Sequence, residues 1–113
     1  MLSKKFRFHS RGGVHSTYQN GDTFRGGRIS LVFTENSRKK QRFAVVVSKK
    51  VLKSAVGRNR IRRRVYEAIR LERPRVSMPC DCIFVIYNKD VADLPFKELR
   101  GLIRDLLSEA KLA

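Results

Sequence analysis

An α+β fold is what this sequence predicts, and three features predict it. Two apolar runs of strand length, Phe43 to Ser48 (FAVVVS) and Cys82 to Tyr87 (CIFVIY), suit buried strands. Between them, Ile61, Val65, Ala68 and Ile69 recur at helical spacing. After them, Phe96, Leu99, Leu102, Ile103, Leu106 and Leu107 form a second apolar stripe at that spacing. With 113 residues the chain suffices for one modest core, so a single domain spanning 1–113 is expected.

The elements follow in order. Ser10 is a candidate cap for a short helix that stops at Asn20-Gly21, with Val14 and Tyr18 on one face. Gly12-Gly13 weakens its first turn. Asp22 to Gly27 suits a short strand. Arg28 to Thr34 alternates, with Ile29, Leu31 and Phe33 on one side, and Glu35 to Gln41 reads as a polar hairpin loop. Ser54 is the expected N-cap of a helix running to about Leu71, where the approach of Pro74 forbids continuation. Pro95 suits the first turn of the last helix. The order is α, two or three strands, then α-β-α: a compact sandwich.

Charge narrows the function. The formal net charge is +16, far beyond what solubility needs, which points to a polyanionic partner. Between Lys49 and Arg75 there are eleven Lys or Arg against Glu67 and Glu72. The excess is therefore a patch. Its centre is Arg58-Asn59-Arg60-Ile61-Arg62-Arg63-Arg64, with five arginines in seven residues. Arginine grips phosphate through two parallel hydrogen bonds and never loses its charge.

Helical phase places Ile61, Val65, Ala68 and Ile69 on the buried side and Asn59, Arg63, Tyr66 and Arg70 opposite, with Arg62 and Arg64 flanking the stripe. The plainer alternative is a solvated basic helix. Such helices mix signs at i,i+4, whereas Arg60 and Arg64, like Arg58 and Arg62, are like-charged pairs at that spacing. The helix looks built for an anionic ligand, and nucleic acid is the leading one.

Other chemistries find little support. Ten acids are present without a convincing cluster; Asp81, Asp90 and Asp93 read as strand-end, turn and capping residues. His9 and His15 have no partner carboxylate nearby in sequence. Neither a P-loop nor a dinucleotide fingerprint occurs. Cys80 and Cys82 point the same way from a strand, too close in register for an easy disulfide, and suit reduced structural thiols. No run approaches a membrane span. Met1 to Asn20 carries no acid, a faint likeness to a transit peptide, but reads better as part of the basic domain.

The run Ser48-Lys49-Lys50, then Ala55-Val56, then Arg58-Asn59-Arg60-Ile61-Arg62-Arg63 resembles the signature of the protein-subunit family of bacterial ribonuclease P. The likeness extends over nearly the whole chain, through Phe6-Arg7-Phe8, the helix ending at Asn20-Gly21, the strand before Ser48 and the last helix. It implies an α-β-β-β-α-β-α sandwich with a mixed central sheet and a left-handed βαβ crossover, against the usual hand. It implies a cytoplasmic, non-catalytic subunit whose RNA partner carries the active site and Mg2+ and removes the 5′ leader of precursor tRNA. By position, Arg58, Asn59, Arg60, Arg62 and Arg63 would contact the catalytic RNA. Lys49, Lys50 and Lys53 would sit near the leader and the metal-binding region. Val14, Tyr18 and Phe33 would wall a leader cleft lying between the sheet and the first and arginine helices, with Lys89 at its edge. No membrane and no obligate protein partner are expected.

The chain departs from the family pattern at Val14, where an aromatic is common, and at Tyr66, where a later arginine stands. Each assigned residue keeps a plain alternative: Phe33 as core, Tyr18 as packing. Two other function classes stay open, a structural rRNA-binding protein and an independent nuclease.

Overall fold

The computed structural model describes residues 2–7, 17, 19, 21–36 and 41–110. Its elements are strands β1 (Asp22–Phe24), β2 (Ile29–Glu35) and β3 (Arg42–Val47), helix α1 (Ala55–Glu72), strand β4 (Cys80–Ile86) and helix α2 (Phe96–Glu109). Short 3-10 turns occupy Lys4–Phe6, Arg73–Arg75 and Lys89–Ala92. The four strands form one mixed sheet in the order β1-β2-β4-β3. β2 runs antiparallel to both β1 and β4, while β3 and β4 are parallel. Parallel neighbours need a crossover, and α1 supplies it, so the βαβ unit lies between the two apolar runs.

Alternation assigns the two faces of the sheet. On one, Ile29, Leu31, Phe43, Val45, Val47, Cys82, Phe84 and Ile86 are buried in a core shared with both helices. On the other, Val32, Ala44 and Ile83 form a smaller buried cluster with Val46 and Val85 packed at its margin. Having apolar residues on both faces explains why FAVVVS and CIFVIY read as nearly continuous runs.

Helix α1 begins where its cap is: Ser54 Oγ accepts a hydrogen bond from the Gly57 N–H at 3.1 Å. It ends at Glu72, and Pro74 falls in the following 3-10 turn. Helix α2 buries Leu99, Ile103, Leu106 and Leu107, with Phe96 and Leu102 half-buried against the core. Pro95 stands one residue before the helix, where its carbonyl accepts from the Glu98 and Leu99 N–H groups. Glu72 joins the helices: its carboxylate, 1% exposed, accepts from Arg100 at 2.8 Å and Arg104 at 2.6 Å.

The N-terminal helix expected from Ser10 lies mostly outside the described residues. Within it, Thr17 and Gln19 are helical, and the Gly21 N–H donates to the Thr17 carbonyl at 2.7 Å. A Cβ on Gly21 would meet the Thr17 carbonyl oxygen at 2.5 Å and that of Phe33 at 2.7 Å, so only glycine fits this stop. Cys80 and Cys82 are buried free thiols with their sulfurs 3.5 Å apart.

Candidate nucleic-acid interface

The turn between β3 and α1 prepares the basic surface. The Ser48 carbonyl accepts from the Val51 and Leu52 N–H groups at 3.1 and 3.3 Å. Val51 and Leu52 anchor the turn by packing on the core, which leaves Lys49, Lys50 and Lys53 exposed. The turn lies close over the helix start: a Cβ on Gly57 would come within 2.5 Å of Leu52 Cδ2.

The arginines of α1 are not equivalent. Arg58 Nη1 donates to the Leu52 carbonyl at 2.9 Å and the Lys53 carbonyl at 2.7 Å, tying the lysine turn to the helix. Arg64 reaches the other way, donating from Nη1 to the Val91 carbonyl at 2.6 Å and from Nη2 to the Leu94 carbonyl. Arg62 donates to Asn59 Oδ1. Arg60 lies 3.6 Å from Asp93 in a largely exposed pair, which contributes little. Arg63 stands exposed on the crest. Further along, Arg70 donates to Glu67 at 2.9 and 2.5 Å, and with that hydrogen bond as the leading cause the Glu67 carboxyl is held down to about 2.

Like charges at i,i+4 are thus partly relieved, because one member of each pair turns to backbone carbonyls. What remains on the crest is Asn59, Arg60 and Arg63, with Val56 exposed in line with them one turn earlier. Arginines this early in a helix oppose its dipole, and α1 has no acid in its first turn to offset them.

Tyr66 corrects the expected phase. Placed on the solvent side by the helical wheel, it is only 6% exposed. The N-terminal segment covers it: Arg7 bridges to Phe43 beside β3, and its guanidinium lies 5.4 Å over the Tyr66 ring. Burial pushes the Tyr66 phenol up, against a hydrogen bond with the Val45 backbone and the charges of Arg7 and Arg62. In the same segment Phe6 lies 4.0 Å beneath the Arg73 guanidinium.

The substrate-side residues divide. Val14 and Tyr18 lie outside the described residues. Phe33 is half-buried on the helix-covered face, stacked on Phe24 with ring centroids 5.6 Å apart. In register it pairs with Cys82, toward the end of the sheet away from the lysine turn. Lys89 is exposed just beyond β4. Since Val47 pairs with Ile86, Lys49, Lys50 and Lys89 come to the same end of the sheet, and Phe33 does not join them. The acids are engaged structurally: Asp81 takes a two-pronged pair from Arg42 at 2.8 and 2.7 Å, and Asp90 accepts from Arg28 at 2.9 Å. Among the described residues, no three His, Cys, Asp or Glu side chains gather where a metal ion could be held, and no helix is long and apolar enough to cross a membrane.

A small α+β protein whose core is fronted by an arginine-crested helix and a lysine turn defines a class, the compact binders of phosphate-rich polymers. The family model for ribonuclease P matches residues 2–111. The ribonuclease P protein component of Roseiflexus castenholzii is 32% identical over 109 residues, covering 96% of this chain and 88% of that one. That of Chloroflexus aurantiacus is 42% identical over 94 residues, covering 83% and 69%. Among solved structures, the RNase P protein of Staphylococcus aureus superposes with a TM-score of 0.81 at 20% identity, covering 95% of this chain and 96% of its own. The RNase P protein of Thermotoga maritima gives 0.81 at 21% identity, covering 91% and 96%. The chain belongs to the ribonuclease P protein family, as the protein subunit of an RNA-catalysed endoribonuclease that matures precursor tRNA at its 5′ end.

Proposed function

We propose that this subunit docks on the catalytic RNA through the crest of α1 and holds the single-stranded 5′ leader of precursor tRNA over the sheet face turned away from α1 and α2. Arg60, Arg63 and Arg62, with Asn59, grip phosphates of the RNA subunit. Arg58 contributes its remaining donors while bracing the turn. Lys49, Lys50, Lys53 and Lys89 line the leader's exit toward the helix start, and Tyr18 with Val14 walls its path. Phe33 fits this path less well than the half-buried Val46 and Val85, which lie on the face opposite to it. Mg2+ and the hydrolytic step belong to the RNA partner; the protein raises affinity for the leader and screens phosphate repulsion near the metal-binding region.

The observation that carries this reading is the partition of the arginines. Arg58 and Arg64 are spent on backbone carbonyls, and Arg60 and Arg63 are left exposed on the crest. Cleavage of precursor tRNA at low magnesium tests it, with a bacterial ribonuclease P RNA in the presence and absence of the protein, and protein alone as control. Rescue of RNA-dependent cutting at the mature 5′ end is expected. Tight RNA binding without rescue by the cognate RNA would favour a purely structural RNA-binding role.

A further inference from the structure

We propose that Tyr87 is a stacking platform for one base of the single-stranded leader, at the open end of the sheet face described above. This rests on the leader reading and adds to it a contact residue outside the matched signature.

The placement follows from the ladder. Tyr87 lies just past β4, yet its N–H donates to the Arg28 carbonyl at 2.8 Å, continuing the β2–β4 pairing by one step beyond Ile29 and Ile86. Alternation therefore puts the Tyr87 side chain on the face of Ile83 and Val85, away from both helices. Along that row the face opens: Ile83 is 0% exposed, Val85 is intermediate and Tyr87 is 49% exposed. The neighbouring strand opens at the same end, from buried Ala44 through Val46 to exposed Ser48.

One exposed tyrosine is ordinary on a protein surface. This one continues an apolar row that emerges from a buried cluster, and it emerges among cations. Lys49 and Lys50 follow Ser48 on one side and Lys89 lies two residues on, while Arg28, opposite across the ladder, is held by Asp90. An aromatic ring flanked by cations at the end of an apolar slot suits an unpaired nucleotide: the ring takes the base and the lysines take the adjoining phosphates. The ring contact is tolerant of base identity, because every base has a π-face.

The test uses the holoenzyme assembled on a bacterial ribonuclease P RNA, with matched precursor and mature tRNA. Tyr87→Ala should weaken binding of the precursor about tenfold and leave mature tRNA unchanged, while Tyr87→Phe retains wild-type affinity. A single abasic site moved along the leader should weaken wild-type binding at one position by a similar factor, and Tyr87→Ala should be insensitive at that position. A precursor preference that survives Tyr87→Ala intact would overturn the platform and leave the leader reading standing. No precursor preference in the wild type would overturn both. Equal losses on precursor and mature tRNA, or weaker binding of the RNA subunit, would assign the ring to a different RNA contact and overturn the proposal.

Discussion

The guanidinium of Arg7 lies 5.4 Å over the ring of Tyr66, so the N-terminal segment closes over a face of α1 that helical phase alone turns to solvent. This contact converts a surface tyrosine into a core residue, and its consequences are measurable.

Tyr66→Ala should cost about 3 kcal/mol in urea unfolding, the range for emptying a buried aromatic site. Tyr66→Phe, which keeps the ring and its packing, should cost about 1 kcal/mol or less. A Tyr66→Ala loss below about 0.5 kcal/mol would return the ring to the surface.

Arg60→Ala and Arg63→Ala should each leave unfolding within about 0.5 kcal/mol of wild type, because both side chains are exposed. Each should weaken binding to the RNA subunit and reduce the slope of log affinity against log salt by roughly 0.7–0.9, one released counterion. An unchanged slope would mean these side chains face elsewhere.

Arg64→Ala should do the reverse. Its guanidinium holds the Val91 and Leu94 carbonyls, so its loss should cost about 2 kcal/mol of stability while the salt slope of RNA binding stays as it was. Titrating both properties on the same preparation separates the bracing arginine from the gripping ones.

Glu72 makes an asymmetric pair. Removing Arg100 and Arg104 together strands a buried carboxylate and should cost about 3–5 kcal/mol. Glu72→Ala should cost less, about 2 kcal/mol, because the two partly exposed arginines can turn to water. Comparison of the two variants in urea at neutral pH decides the ordering.

The same group sets an acid limit. Burial pushes the Glu72 carboxyl up, but hydrogen bonds from Arg104 and Arg100, with their charges, outweigh it and leave the folded value below the ordinary one. A lowered folded value contributes stability above the unfolded carboxylate range, about 4.3, and loses it as pH falls through the folded value. Glu67, held near 2, acts in the same direction. Stability should fall progressively below about pH 4.3, and the gap between wild type and Glu72→Ala should narrow with it. A gap independent of pH would mean the carboxylate charge contributes nothing.

Much of the fold was legible because its signals are local. Alternation marked β2, β-branched runs marked β3 and β4, and a serine followed by helical spacing located the start of α1 at Ser54. The charge patch was equally plain. These depend on neighbours a few residues apart, whose geometry the backbone period dictates. The resemblance, not periodicity, supplied the parallel pairing around α1.

Within the candidate interface, the order of residues places the arginines on one helix, and the folded chain assigns each of them its partners. Arg58 and Arg64 look alike in the string, yet one clasps a turn six residues away and the other a loop twenty-seven residues away. Tyr66 is buried by Arg7, Glu72 by the docking of α2, and Tyr87 is left open because the face it ends is uncovered at that margin. The physical reason is common to all three. A side chain's burial and its hydrogen-bond partners are set by whatever the folded chain brings against it, and no helical or strand period encodes which distant segment that is.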